Sequence, residues 1–275
     1  LTATVVPINI ELMKSASSGL LDSPVYVISL PRSAARRRWI VEHLREKGVC
    51  FEFVDAVDGQ ELAEEPGPLT RGERACYLSH LAVWKRLLDG NARGAFVFED
   101  DVMMLPWCSV SVLGEVARQT RPGEVVLLQS SARYLWKRCR RLLSEGRSVI
   151  AYTLDDTKLA SAYYLTREGA AAMVERWRRE GIRFCVDHWY SKRGEYPSWR
   201  GTLPILVLQP NAFVQREEFV SEIARLGRGG LSGAEFQCCC SPVLFDGRWR
   251  HVPRDSLRFV RRQLGAWLQR PARIS

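Results

Sequence analysis

The chain has 275 residues, 46% of them hydrophobic, enough to bury the core of one large domain and too apolar for a disordered tail. Lys and Arg number 40 against 31 Asp and Glu, a formal charge of +9; nearly all of the excess is arginine, which suits planar anions such as phosphate. No run approaches the roughly 18–20 apolar residues of a membrane span, and the eight cysteines include no C-x-x-C pair, which argues against zinc-ribbon and thioredoxin-like sites and for reduced thiols.

Residues 1–23 show no clear period and contain Ser-Ala-Ser-Ser-Gly, so they read as an N-terminal extension. Val25–Leu30 reads as a buried strand, Pro31-Arg32-Ser33 as a turn, and Ser33 as the N-cap of an Arg-rich helix ending near Gly48. Phe51–Val54 predicts a second strand and Val57-Asp58-Gly59 a turn. Thr70-Arg-Gly-Glu73 matches a capping box, and Leu78, Leu81, Trp84 and Leu88 mark one face of the helix that follows. Val125–Leu128, Ser161–Leu165 and Ile205–Leu208 predict further strands, and the basic stretch Arg133–Arg147 with Ser148–Tyr152 predicts a hairpin or surface excursion. Thr166 is placed to cap a helix that stops at Gly181. Strands alternating with helices give an α/β class with a mixed sheet, one large domain over residues 24–215. Residues 216–275 read as a Gly- and Arg-rich mobile loop around 225–233 followed by a basic amphipathic helix from Asp255, with Leu257, Val260, Leu264 and Leu268 at helical spacing among arginines.

Between these elements lies Gly94-Ala-Phe-Val-Phe-Glu-Asp-Asp-Val102, an apolar run that ends in three consecutive carboxylates. Read as a strand, it alternates faces, so Glu99 and Asp101 point one way and Asp100 the other. Hard oxygen ligands on a rigid strand end suit Mn²⁺ or Mg²⁺, which takes a few carboxylates and fills its other positions with phosphate and water. A solvated acidic turn is the alternative.

Val-Tyr-Val-Ile-Ser-Leu-Pro-Arg with Arg36-Arg37, then Val57-Asp58-Gly59, Gly72-Glu73 with Cys76 and Ser79-His80, and Phe98-Glu99-Asp100-Asp101-Val102 together resemble glycosyltransferase family 25. Ala162-Tyr163-Tyr164-Leu165 with Gly169-Ala170, Val186-Asp187-His188 and Gln209-Pro210 continue in the family's order, so the resemblance covers about residues 25–215. It implies a GT-A-type nucleotide-sugar-binding fold, a UDP-sugar donor (usually UDP-galactose), a divalent cation and inversion at the anomeric carbon. The first strand carries Ser29 where the family usually has Asn.

Within that frame Asp101 is expected to hold the metal, with Glu99 on metal or ribose and Asp100 supporting. His188 is either a further metal ligand or a packing residue. Asp187, beyond the Gly181 helix stop, is the expected base for the acceptor hydroxyl, with helix capping as its structural alternative. Glu73 is divided between donor binding and the capping box. Ser79 and His80, adjacent in sequence, cannot form a nucleophile–base pair across a site, so donor-pocket contacts are weighed against core packing. Arg36 and Arg37 could reach the diphosphate, at least one of them being a solvated basic side chain instead.

The function expected is metal-dependent inverting transfer of a hexose, galactose first, onto a lipopolysaccharide or lipooligosaccharide-type glycan, in the cytoplasm and peripheral to the inner membrane. A collagen-type hydroxylysine galactosyltransferase stands second, since Pro271–Ser275 is not an ER retention signal. No nucleic-acid partner is expected, because no interleaved aromatic and basic signature is present. The C-terminal helix either meets an anionic membrane surface or packs on the catalytic domain.

Overall fold

The computed structural model describes residues 21–67, 69–130, 134–144, 148–153, 159–183, 185–187 and 203–216. His188, the stretch at 225–233 and the helix expected from Asp255 lie outside these residues, as do residues 1–20. In chain order the elements are β1 (Val25–Ser29), α1 (Ala34–Glu46), β2 (Glu52–Asp55), α2 (Arg71–Asp89), β3 (Gly94–Glu99), β4 (Val102–Met104) and α3 (Val110–Gln119). These are followed by β5 (Val125–Leu127), β6 (Tyr134–Arg141), β7 (Val149–Thr153), β8 (Ala162–Thr166), α4 (Arg167–Glu180), β9 (Ile205–Gln209) and β10 (Phe213–Gln215).

Eight strands form one mixed sheet in the order β2-β1-β3-β8-β5-β9-β7-β6, while β4 and β10 make a separate two-stranded ribbon. β1 runs parallel to both β2 and β3, and β5 parallel to β9. β8 lies antiparallel between β3 and β5, and the predicted β6–β7 hairpin extends the far edge. Period-2 alternation divides the core into two. Val25, Val27, Phe96, Phe98, Val126 and Leu206 pack against Ile40 and Leu44 of α1 and Val112, Leu113 and Val116 of α3. Their sequence neighbours Tyr26, Ile28, Ala95, Val97, Val125 and Ile205 pack on the other face, against Leu81, Trp84 and Leu87 of α2 and Ala170, Met173 and Val174 of α4. The molecule is therefore three-layered, with two helices on each face.

Local signals explain most boundaries. The capping box forms: Glu73 N–H donates to Thr70 Oγ1 at 3.3 Å and Thr70 N–H to Glu73 Oε2 at 2.8 Å. Thr166 Oγ1 accepts from Gly169 N–H at 3.2 Å, and α4 ends at Gly181 with φ +68°. Ser33 precedes α1 but makes no side-chain capping bond, so the cap expected there is absent. The strand expected over 94–102 ends at Glu99; Asp100 and Asp101 form a turn, and Val102–Met104 leaves the main sheet to pair with β10. Helix α3 was not among the expected elements, although Ser109 caps it by accepting from Val112 N–H at 3.3 Å. Gly94 is required by the close approach of β8, since a Cβ there would lie 2.4 Å from Tyr164 Oη and 2.7 Å from Leu165 O.

Candidate active site

Chain order reverses direction at β1: the first crossover leads outward to β2, the second returns past β1 to β3. In an open α/β sheet such a switch leaves a crevice at the carboxyl ends of the strands on either side. Ser29 ends β1 and Glu99 ends β3, and they are brought together by the register that pairs Ile28 with Glu99. The acidic triplet is thus delivered to the place where this topology favours a ligand.

Alternation holds from Glu99 to Asp100 and fails at Asp101. Asp100 turns to the α1 side, where Ser29 Oγ donates to its Oδ2 at 2.6 Å and Arg36 Nη2 lies 2.7 Å from its Oδ1. Asp101 was expected to turn away with Glu99, yet the same Arg36 Nη2 is 2.7 Å from Asp101 Oδ2, because both aspartates belong to the turn after β3. One guanidinium bridges two buried carboxylates. Burial raises the pKa of both acids; for Asp101, burial first and then the neighbouring Glu99 push it up to about 7, against the pull of Arg36. Asp101 Oδ1 is buried and accepts no hydrogen bond from the described residues.

Glu99 sits on the opposite face, toward α2. Its Oε1 is 3.4 Å from His80 Nε2 and its Oε2 accepts from Gln215 Nε2 at 3.3 Å. His80 is fully buried, with Nδ1 2.9 Å from Tyr163 Oη, and Trp84 Nε1 donates to the same hydroxyl at 2.9 Å. The Tyr163 pKa is held well above its usual value by burial. The indole, phenol, imidazole and carboxylate thus form one polar line from the core to the crevice, which fixes the Glu99 side chain.

Asp187 joins this neighbourhood from beyond α4. The Cys76 thiol is pushed up in pKa by burial and then by the charges of Glu99, Asp187, Cys185 and Asp101, so Asp187 acts on the same sulfur as Glu99. Cys185 Sγ donates to Glu73 Oε1 at 3.3 Å, while Glu73 Oε2 serves the capping box. Ser79 is occupied by the backbone: it donates to Ala75 O at 2.7 Å and accepts from Val57 N–H at 2.9 Å, tying the 57–59 loop to α2. Arg37 donates to Ser29 O at 2.9 Å and pairs with Asp55, so it holds the ends of β1 and β2 together. Of the expected residues, Glu99, Asp100, Asp101, Arg36, His80 and Asp187 gather at the crevice; Glu73 lies beside it, and Ser79 and Arg37 hold its walls.

Ser29, Cys76, Tyr163 and Gln215 were not among the expected site residues. Cys76 was the legible one, being four residues before His80 and hence on the same face of α2. Gln215 reaches Glu99 through the β4–β10 pairing, which joins residues over a hundred positions apart and leaves no local trace.

An open α/β sheet with carboxylates gathered at its switch point has the architecture that places a ligand site there. The chain belongs to glycosyltransferase family 25 (LPS biosynthesis protein), whose profile matches residues 22–189; the layered mixed sheet is consistent with a GT-A-like fold. The chain is 38% identical over 90 residues to the lacto-N-neotetraose biosynthesis glycosyltransferase LgtB of Neisseria meningitidis, covering 29% of this chain and 32% of the relative. It is 35% identical over 96 residues to procollagen galactosyltransferase 2 of Mus musculus, 28% of this chain and 15% of that one. A glycosyltransferase 25 family member of Anopheles gambiae is 26% identical over 170 residues, 55% of this chain and 28% of the relative. The chain thus spans under a third of the length of each of these three.

Proposed function

We propose that this chain transfers a hexose, galactose in the first instance, from a UDP-sugar to a hydroxyl of a lipooligosaccharide-type glycan, with inversion. The observation that carries this is the convergence of Glu99, Asp100 and Asp101 with Arg36 at the switch crevice, with Asp187 close by.

The donor set fits a divalent cation. Oxygen-only ligands suit Mn²⁺ or Mg²⁺, Asp101 offers a buried oxygen without a hydrogen bond among the described residues, and the mutual repulsion of Glu99 and Asp101 is relieved by positive charge. Held by Glu99 and Asp101, such an ion would supply charge neutralisation for the departing diphosphate. Arg36 adds a fixed cation at the same place, buried enough that its charge is weakly screened. Asp187 takes the proton of the acceptor hydroxyl as that oxygen bonds to the anomeric carbon and the carbon–diphosphate oxygen bond breaks. The line from Trp84 to Glu99 keeps the carboxylate from rotating when the donor leaves.

The similarity to a procollagen galactosyltransferase favours one second reading, the same chemistry on hydroxylysine. One experiment addresses both. UDP-galactose, UDP-glucose and UDP-N-acetylglucosamine are screened by thermal shift with and without Mn²⁺, and the donor that raises the melting temperature is tested on glycan and hydroxylysine-peptide acceptors. Cation-dependent stabilisation by UDP-galactose with transfer to the glycan is the expected result. Binding of no nucleotide sugar would overturn the proposal, and transfer to the peptide alone would replace the glycan with hydroxylysine.

A further inference from the structure

Beside the oxygen-lined crevice lies a donor set of different chemistry. Cys76, His80 and Glu99 each present one ligand atom, and these atoms all lie within 4.8 Å of one another. Cys76 and His80 are one turn apart on α2, so their side chains leave the same helix face, and Glu99 comes from the end of β3 opposite. The three are brought together by tertiary structure, which is why no short cysteine motif announces them.

We propose that Cys76, His80 and Glu99 form a second cation site, of the kind that takes zinc-class ions, sharing Glu99 with the carboxylate crevice. A thiolate, an imidazole and a carboxylate are a ligand set for Zn²⁺, with bonds of about 2.0–2.3 Å and a fourth position left to solvent. Thiolate and imidazole discriminate against Mn²⁺ and Mg²⁺, which the neighbouring oxygen-only set suits instead.

Three further features of the structure support it. The His80 ring is oriented from behind, Nδ1 against Tyr163 Oη and that hydroxyl in turn held by Trp84 Nε1, both at 2.9 Å, which leaves Nε2 facing Glu99 and the cluster. Metal-binding histidines characteristically have the other nitrogen held by a hydrogen bond, which orients the ring. Glu99 ends β3 immediately before the Asp100–Asp101 turn, so the cluster borders further carboxylate charge, which favours a dication there. Finally, His80 is fully buried while Cys76 and Glu99 keep partial exposure, so the cluster lies at the margin of the core and not in its middle. The ligation itself stands whether or not the crevice binds a nucleotide sugar.

Co²⁺ reports on such a site directly, because a cobalt–thiolate bond adds a near-ultraviolet charge-transfer band that oxygen ligation does not give. The full chain, stripped of metal with a chelator, is titrated with Co²⁺ and the ion then displaced with Zn²⁺. One equivalent should develop the band, and Zn²⁺ should abolish it. Cys76→Ser should lose the band, whereas Cys185→Ser and a variant with Cys238, Cys239 and Cys240 all changed to Ser should keep it. Should Cys76→Ser fail to fold, Glu99→Gln decides: it should keep the band but need at least about ten times more Co²⁺ to develop it. No band in the wild-type chain, a band that survives in folded Cys76→Ser, or an unchanged Co²⁺ requirement in Glu99→Gln would overturn the proposal. Because the band reads only the thiolate, its absence leaves the Mn²⁺-dependent thermal shift with nucleotide sugar unaffected, and the two readings fail separately.

Discussion

Asp101 is a carboxyl whose folded environment opposes its charge, pushed up to about 7 by burial and by Glu99. Its ordinary value is 3.8, so between the two the folded chain holds a proton that the unfolded chain has released, and stability falls as pH rises through that window. In chelator-treated protein, Asp101→Asn should therefore be more stable than wild type at pH 8, on the order of 2–4 kcal/mol, with the difference vanishing near pH 4. Urea unfolding at both pH values measures it, and a variant less stable at pH 8 would contradict the electrostatics. The same substitution should remove Mn²⁺-dependent donor binding, so stability and function move in opposite directions, as at many sites built for a ligand. Asp187 is expected to behave differently. If it accepts the acceptor's proton, Asp187→Asn should lower kcat by on the order of 10²–10⁴ while donor affinity holds; steady-state kinetics with varied donor separates this from a pocket role, in which KM for donor would rise. The acids were legible as chemistry in the sequence because three carboxylates after an apolar run have few structural uses. Their partners were less so: Arg36 was expected near a diphosphate, and nothing in the sequence showed that it would span Asp100 and Asp101.

Among the elements, β4 is the one on which the crevice depends most for its shape, since it follows the Asp100–Asp101 turn and pairs with the strand bearing Gln215. It is fastened to α1 by a polar contact, Met104 N–H donating to His43 Nε2 at 2.8 Å, with the imidazole stacked on Trp39 at 4.9 Å. That acceptor must be unprotonated. Burial, then Lys47, lower the His43 pKa from 6.5, so its contribution is complete above 6.5 and is lost as pH falls through the lower folded value. His43→Gln should flatten the decline in melting temperature from pH 6.5 to pH 5; a decline as steep in the variant as in wild type would show that the step arises elsewhere. Elements with both a cap and a strong period, such as α2 and α4, were legible to within a residue or two. Helix α3 was missed although Val112, Leu113 and Val116 do mark one face, because its ten residues sit between an uninformative loop and the Thr120 turn. The turn after Glu99 was missed because Val102–Met104 looks like strand, as it is; that it belongs to another sheet is decided by residues 213–215.

For the whole molecule, the alternation of strands and helices announced an α/β sheet, and the hairpin at its edge was also legible; strand order was not, because β8 enters from residues 162–166 to lie between β3 and β5. The sequence over 255–269 keeps its own expectation: an apolar stripe flanked by arginines should bring the full chain down with anionic liposomes more than with neutral ones, and a chain ended before Asp255 should lose that preference. Equal co-sedimentation of the two chains would remove the membrane from the picture. The inserted strand has a consequence for synthesis. A ribosome that has released only the first 160 residues has exposed β3 and β5 with the strand that joins them still to come, leaving one open hydrogen-bonding edge on β3 and both edges of β5, in sequence that is almost entirely buried in the finished fold. Such a nascent chain cannot close its sheet by local contacts, so completion is delayed until translation has passed β8 and then β9, which ends at Gln209 and lies between β5 and β7, and it depends on pairings of long sequence separation. Residues 21–160 expressed alone should aggregate, and adding the stretch through β10 should recover soluble material, so translation pauses in that interval would hold the chain in its most vulnerable state.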